Sequence, residues 1–231
     1  MNNSNFIDNF DIKNHIVYED SSVIIFDKPQ GLSTTFGQKE NLCEKAFQYF
    51  PDLQKIEGYK KGEGGLLNRL DNDTGGLVLF ARSNDAFLYY SEKMKNMQIE
   101  KVYAAVVDGK INATSGIIDY PIAHHYKNKA KMVAVLNGIK YRGTPREART
   151  EWTLFENIKN NSVLKVNIKK GARHQIRVHL ASIGFPIVGD KLYNKKKSEY
   201  KYHLLYANGL KFISYENNKE ISLAINVPFL L

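Results

Sequence analysis

The sequence predicts an α+β fold: a central, largely antiparallel mixed β-sheet flanked by helices and loops. Three observations predict it. Strand-like and helix-like segments follow one another without the regular βαβ alternation that a parallel sheet requires. No internal repeat or long linker divides the 231 residues, a length one domain can fill. The apolar patterning switches several times between period 2 and period 3.6.

The elements follow in order. Residues 1–14 are polar and Asn-rich and read as an extension, leaving residues 15–231 as the domain. HIVYEDSSVIIFDKPQGL reads as two short strands joined at Glu19–Ser22, ending in a turn at Lys28-Pro29-Gln30-Gly31. In KENLCEKAFQYF, residues 39–50, Leu42, Ala46 and Phe50 share a helical stripe, and Pro51 follows. EGYKKGEGG, residues 57–65, reads as a mobile loop leading into LLNRLDNDTGGLVLF, whose LVLF half is strand-like. Ser83 is placed to cap a helix whose inner face carries Phe87, Tyr90 and Met94. KVYAAVVDGKI is a strand with a turn at Asp108-Gly109, and residues 115–152 form an irregular β-rich region rich in charge. SVLKVNIKKG alternates, with Leu164, Val166 and Ile168 on one face. HQIRVHLASIG turns helical, with Ile176, Leu180 and Ile183 on one stripe and Gly184 as the cap. Arg173 and Arg177, four apart, then share the opposite face. A lysine-rich loop at 194–201 precedes the strands YHLLYANGLKF and ISLAINV.

Composition narrows the function classes. A formal net charge of +9 favours a polyanionic partner, nucleic acid above all. Cys43 is the only cysteine, which excludes an internal disulfide and a cysteine-based metal site. The N-terminus has neither the basic start nor the apolar core of a secretion signal, and no apolar run reaches the length of a membrane span. A cytoplasmic protein is expected, with no membrane association, as a monomer and with no protein partner implied.

The candidate chemistry centres on carboxylates and arginines. Asp71 precedes a buried strand, yet NDTGG is also an ordinary turn composition. Asp71 and Asp73 could suggest glycoside hydrolysis, but acid and nucleophile usually come from separate elements. Arg69, two residues before Asp71, could form a local ion pair with it. His174 and His179 are five apart, the wrong spacing for zinc on one helix turn, and no HExxH pattern occurs. Phosphate-binding glycine loops and a serine nucleophile elbow are missing too. No cofactor and no metal are expected.

Four segments in order resemble the RluA-type family of RNA pseudouridine synthases. Lys28-Pro29-Gln30-Gly31-Leu32 is similar to the family's KPxGL turn. Arg69-Leu70-Asp71, followed by Thr74, Gly76 and LVLFARS, is similar to HRLDxxTSGLLLFAKS. Lys101-Val102-Tyr103-Ala104-Ala105 with Gly109 is similar to KxYxAxVxG. GARHQIRVHLA at 171–181 with GFPIVGDKLY is similar to GRxHQIRVHL…GxPIxGDxxY. Two positions depart: Asn68 stands where the family has histidine, and Gly75 where it has serine. The family often carries an N-terminal S4 domain; with only about fifteen residues ahead of the first strand, none is expected in this sequence.

The resemblance implies the pseudouridine synthase fold and isomerisation of uridine in ribosomal or transfer RNA without a cofactor. It implies Asp71 as the nucleophile, Arg177 as its charged partner, and Tyr103 stacking on the base and assisting loss of the C5 proton. Arg69 is implied to fill the gap left by the extruded base. Lys28, Arg173, His174, Gln175, Lys195, Lys196 and Lys197 are expected to contact RNA, as is the KNKAK run at 127–131. The alternative is a catalytically impaired RNA-binding or ribosome-assembly factor on the same scaffold, suggested by Asn68 and Gly75.

Overall fold

The computed structural model of the chain describes residues 10–36 and 40–230. Its fold is α+β, with antiparallel strand pairing and flanking helices, as expected. The chain divides into two compact units.

The first unit takes the described residues up to Ile99 together with Ala207–Ile225. Strands β1 (Ile16–Glu19) and β2 (Val23–Lys28) pair antiparallel around a turn. The Asp20 carboxylate fixes that turn by accepting the Ser22 and Val23 N–H groups, each at 2.8 Å. Helix α1 (Leu42–Tyr49) starts where Asn41 accepts the Glu44 N–H at 3.0 Å, and it buries Leu42, Cys43, Ala46 and Phe47. Lys39, at the start of the expected helical segment, lies outside the described residues. Strand β3 (Gly75–Ala81) is buried along its whole length and pairs antiparallel with β2, Phe26 facing Val78. Ser83 caps helix α2 (Asn84–Lys95) by accepting the Ala86 N–H at 3.1 Å. Phe87 and Tyr90 of that helix are buried, and Met94 packs beside them.

Further along the chain, β11 (Leu205–Ile213) adds to β3 and β12 (Glu220–Ala224) adds to β11. The core between sheet and α2 contains Val23, Ile25, Leu77, Leu79, Phe87, Tyr90 and Phe212. The expectation of a mobile loop at 57–65 fails in its second half. Glu63, Gly64 and Gly65 are buried, and Ala81 N–H donates to the Gly65 carbonyl at 2.8 Å.

The second unit takes Glu100–Tyr206 and the C-terminal residues from Asn226. Its strands are β4 (Glu100–Asp108), β5 (Ser115–Ile118), β6 (Ile122–His125), β7 (Met132–Ala134), β8 (Tyr141–Arg146), β9 (Thr150–Ile158) and β10 (Asn161–Ile168). Four of them lie in the order β4-β10-β9-β5, and β7-β6-β8 form a separate small sheet. Leu164, Val166 and Ile168 of β10 are buried while Lys165 is exposed, as the alternation predicts. Helix α3 (Gln175–Ser182) starts later than its sequence period suggests. His174, at its N-cap, adopts the left-handed conformation (φ 57), so Arg173 precedes the helix and shares no helical face with Arg177. The helix ends in a Schellman turn: Phe185 N–H donates to Leu180 O at 3.0 Å and Gly184 N–H to Ala181 O at 3.1 Å. Gly184 takes the required left-handed φ of 87.

Among the described residues, no helix is long and apolar enough to cross a membrane.

Candidate active site

Asp71 begins a tight turn that ends at Thr74, whose N–H donates to the Asp71 carbonyl at 3.0 Å. The chain on either side of Asp71 is gripped by the turn that follows β2. Thr34 Oγ1 donates to the Leu70 carbonyl at 2.9 Å and accepts the Leu70 N–H at 3.2 Å. Gly31 N–H donates to the Asn72 carbonyl at 2.8 Å, and Gln30 Nε2 to the Asp73 carbonyl at 2.9 Å. Hydrogen bonds to residues 70, 72 and 73 fix the backbone that carries Asp71, whose side chain is half-buried.

Lys28 completes this grip, and here the expectation of an RNA contact is corrected. Its side chain is 0% exposed. Its Nζ donates to the carbonyls of Leu32 at 2.7 Å, Pro29 at 3.0 Å and Asn72 at 3.2 Å, which uses all three donors. Burial pushes its pKa down to about 7, against the opposing pull of the Asp71, Asp73 and Asp27 charges. Lys28 braces the turn that carries Asp71 and offers no surface to a phosphate.

Two neighbours of Asp71 also have definite partners. Arg69 is exposed and lies 3.6 Å from Glu63, so its local ion pair is with a buried glutamate. Asn68 serves as a strand surrogate for β3: its Oδ1 accepts the Leu79 N–H at 2.8 Å and its Nδ2 donates to Leu77 O at 3.2 Å.

In the second unit, Tyr103 stands on β4 opposite Val166 of β10 and is 7% exposed. Arg177 is 6% exposed and makes a forked pair with Asp190, Nε to Oδ2 at 2.7 Å and Nη2 to Oδ1 at 2.9 Å. Asp190 Oδ1 also accepts the N–H groups of Leu192 at 2.9 Å and Tyr193 at 3.1 Å. Burial raises the Asp190 pKa, but the Arg177 hydrogen bond and charge outweigh it and hold the carboxyl below its ordinary value. The Tyr193 ring centroid lies 5.2 Å from the Arg177 guanidinium carbon, and its hydroxyl meets His174 Nδ1 at 2.8 Å. Arg177 is therefore held rigidly on two sides.

Gln175 is also corrected. It is buried, its Oε1 accepts Ala172 N–H at 2.9 Å, and its Nε2 donates to Arg149 O at 2.9 Å and Thr150 Oγ1 at 3.1 Å. It shapes the entry to α3 and has no free face for RNA. Arg173 is exposed and reaches the carbonyls of Lys129 and Ala130 at 3.4 Å. Lys195, Lys196 and Lys197 are exposed, and Lys196 lies 3.2 Å from Asp108.

Sequence reasoning assigned no role to Asp190 or Thr34, and it placed Tyr193 in an RNA-contacting segment at 193–203 rather than against Arg177. Asp190 and Tyr193 belong to the GDKLY segment, whose polar residues look like turn formers until Arg177 is seen between them. Among the described residues no group of three or more His, Cys, Asp and Glu side chains is placed to hold a metal.

Comparison with known proteins identifies the class. The family described as RNA pseudouridylate synthase matches residues 22–182, and the chain belongs to that family. Among individual relatives, the chain is 32% identical over 183 residues to the ribosomal large subunit pseudouridine synthase D of Nitrosomonas europaea, covering 78% of this chain and 49% of that protein. It is 32% identical over 186 residues to the protein of the same name from Pseudomonas aeruginosa, covering 79% and 54%. The chain thus spans about half the length of these relatives. In fold it resembles human RNA pseudouridylate synthase domain containing 1, with TM-score 0.76, 20% identity, and coverage of 93% of this chain and 84% of that one.

Proposed function

We propose that this chain is an RNA pseudouridine synthase that isomerises specific uridines of ribosomal or transfer RNA, with Asp71 as nucleophile and without a cofactor. The observation that carries the reading is the set of hydrogen bonds holding the backbone on both sides of Asp71. A reacting group must be positioned before the substrate arrives if binding is to lower the barrier. The names of the relatives favour ribosomal RNA over transfer RNA.

The reaction breaks the bond between ribose C1′ and uracil N1, turns the base, and joins C1′ to C5. N1 gains a proton and C5 loses one, so no redox partner and no energy source are consumed. The Asp71 carboxylate supplies the electron pair that forms the covalent intermediate. Tyr103 stacks on the target base, which must leave its helical stack to be reached, and helps remove the C5 proton. Arg177 supplies a fixed positive charge, held by Asp190 and Tyr193. Arg69 fills the gap that the base leaves. Exposed basic side chains, among them Arg173 and Lys195–Lys197, meet phosphates, in keeping with the net charge of +9.

The departure at Asn68 lends no support to a catalytically impaired factor, because that side chain is engaged with the β3 backbone. Pseudouridines mapped across total RNA, with and without the gene, test the proposal. It expects one or a few uridines to lose the modification when the gene is removed. An unchanged map contradicts it.

A further inference from the structure

Lys101 opens the KVYAAVV strand, two residues before Tyr103, so both side chains leave the same face of β4. It is only 8% exposed, which is rare for a lysine without a partner. Its ammonium has three donors. Among the described residues it makes one hydrogen bond, to the Lys169 carbonyl at 3.5 Å, at the outer limit of such a contact. The neighbouring carboxylate does not help: Glu100 leaves the opposite face of the strand and accepts from Asn167 Nδ2 at 3.1 Å. Burial pushes the Lys101 pKa down to about 8, and no nearby charge contributes to the shift.

Lys28 shows what a satisfied buried lysine looks like in this chain. It has three carbonyl acceptors and three carboxylates near enough to act on it. Lys101 has neither. An apolar side chain of the same length would fill the space at lower cost, so packing does not account for an ammonium here. The segment beside it, Lys169-Lys170-Gly171-Ala172-Arg173-His174, contains no acidic residue, and Lys169, Lys170 and Arg173 are exposed. The local field therefore suits an anion.

We infer that the Lys101 ammonium binds a backbone phosphate of the RNA close to the target uridine, beside the base held by Tyr103. A neutral uracil oxygen could accept a hydrogen bond, but only an anion also offsets a buried positive charge. This inference rests on the proposed pseudouridine synthase reading and adds a substrate-binding residue to it.

The test measures binding of the purified chain to an unmodified large-subunit ribosomal RNA transcript at several salt concentrations. Each neutralised phosphate adds about 0.7 to 0.9 to the slope of log affinity against log salt. Lys101→Met is expected to fold with unchanged or higher melting temperature and to lower that slope by about one phosphate's worth. Lys101→Arg keeps the charge and is expected to retain the wild-type slope. Should the Met variant fail to fold, Lys101→Gln takes its place with the same expectation. An unchanged slope in the neutral variant overturns the inference, as does a slope lost equally in Lys101→Arg. The binding measurement needs no turnover. A wild-type chain that binds with the full slope but modifies no RNA therefore counts against the enzymatic reading, while the variants still decide the role of Lys101.

Discussion

At the scale of single residues, the chain separates side chains that hold the site from side chains that face outward. Lys28 and Gln175 belong to the first kind although their sequence context suggested the second. Gln175 sits among basic and polar residues and Lys28 opens a turn motif, and sequence alone does not say whether a lysine ends in water or among carbonyls. Asp190 is the counterpart for Arg177. Asp190→Asn preserves size but removes the charge opposite a guanidinium that is 6% exposed. Leaving one member of a buried ion pair unpaired costs about 3 to 5 kcal/mol. Chemical denaturation is expected to show a loss of that size, with an unchanged dependence on denaturant; a loss below about 1 kcal/mol would refute the clamp. Asn68 illustrates the reverse lesson. It differs from the family residue, yet its side chain completes hydrogen bonds that β3 would otherwise lack.

At the scale of elements, β3 and the turn before it form the anchor for Asp71. Gly76 has φ 112, and a Cβ built there would lie 2.2 Å from the Ala207 carbonyl oxygen of β11. Both strain and overlap then oppose any larger side chain. Gly76→Ala is expected to destabilise by about 2 to 5 kcal/mol, combining overpacking with an unfavourable backbone region. Thermal unfolding checks this, and a variant as stable as the parent would contradict the close strand approach.

Much of this level was legible in the sequence. Period-2 and period-3.6 patterns located β10 and α2, because burial of one face imposes those periods directly, whereas β3 was legible as an unbroken apolar run because both its faces are buried. Ser83 and Gly184 were readable as caps because capping needs particular residue types. The start of α3 was not readable: the left-handed turn at His174 depends on the Gln175 contacts with Ala172, Arg149 and Thr150. The second half of 57–65 was misread for a similar reason. Glycine there serves close packing, Gly64 against Phe47 and Gly65 against Ala81, and composition does not distinguish that from looseness. The candidate site was legible as residue names, from the four ordered motifs, but the grip of residues 28–34 on the Asp71 turn was not.

At the scale of the whole molecule, two buried lysines set an unusual pH dependence. Lys28 titrates at about 7 and Lys101 at about 8 in the folded chain, both below their ordinary 10.5. Between those values and 10.5 the unfolded chain holds more protons than the folded one, so stability rises with pH. From pH 9 upward an opposing slope sets in and then prevails, because burial pushes the Cys43 thiol from its ordinary 9.0 up to about 12, and burial with the Asp20 hydrogen bond pushes the Tyr18 hydroxyl up to about 12. Stability is therefore expected to increase from pH 7 to about 10 and then fall. Lys101→Met is expected to flatten the rise between pH 8 and 10. Denaturant titrations across this range check both, and a parent protein that weakens steadily above pH 7 would rule the account out.

The whole-molecule claim that matters most is catalytic, and it depends on one carboxylate. Purified chain incubated with ribosomal RNA tritiated at uridine C5 releases tritium to water if C1′ is joined to C5 and the ring rearomatises. The account predicts release by the parent chain and a fall of several powers of ten in Asp71→Asn, with RNA binding retained. No release by the parent, or equal release by Asp71→Asn, would contradict it.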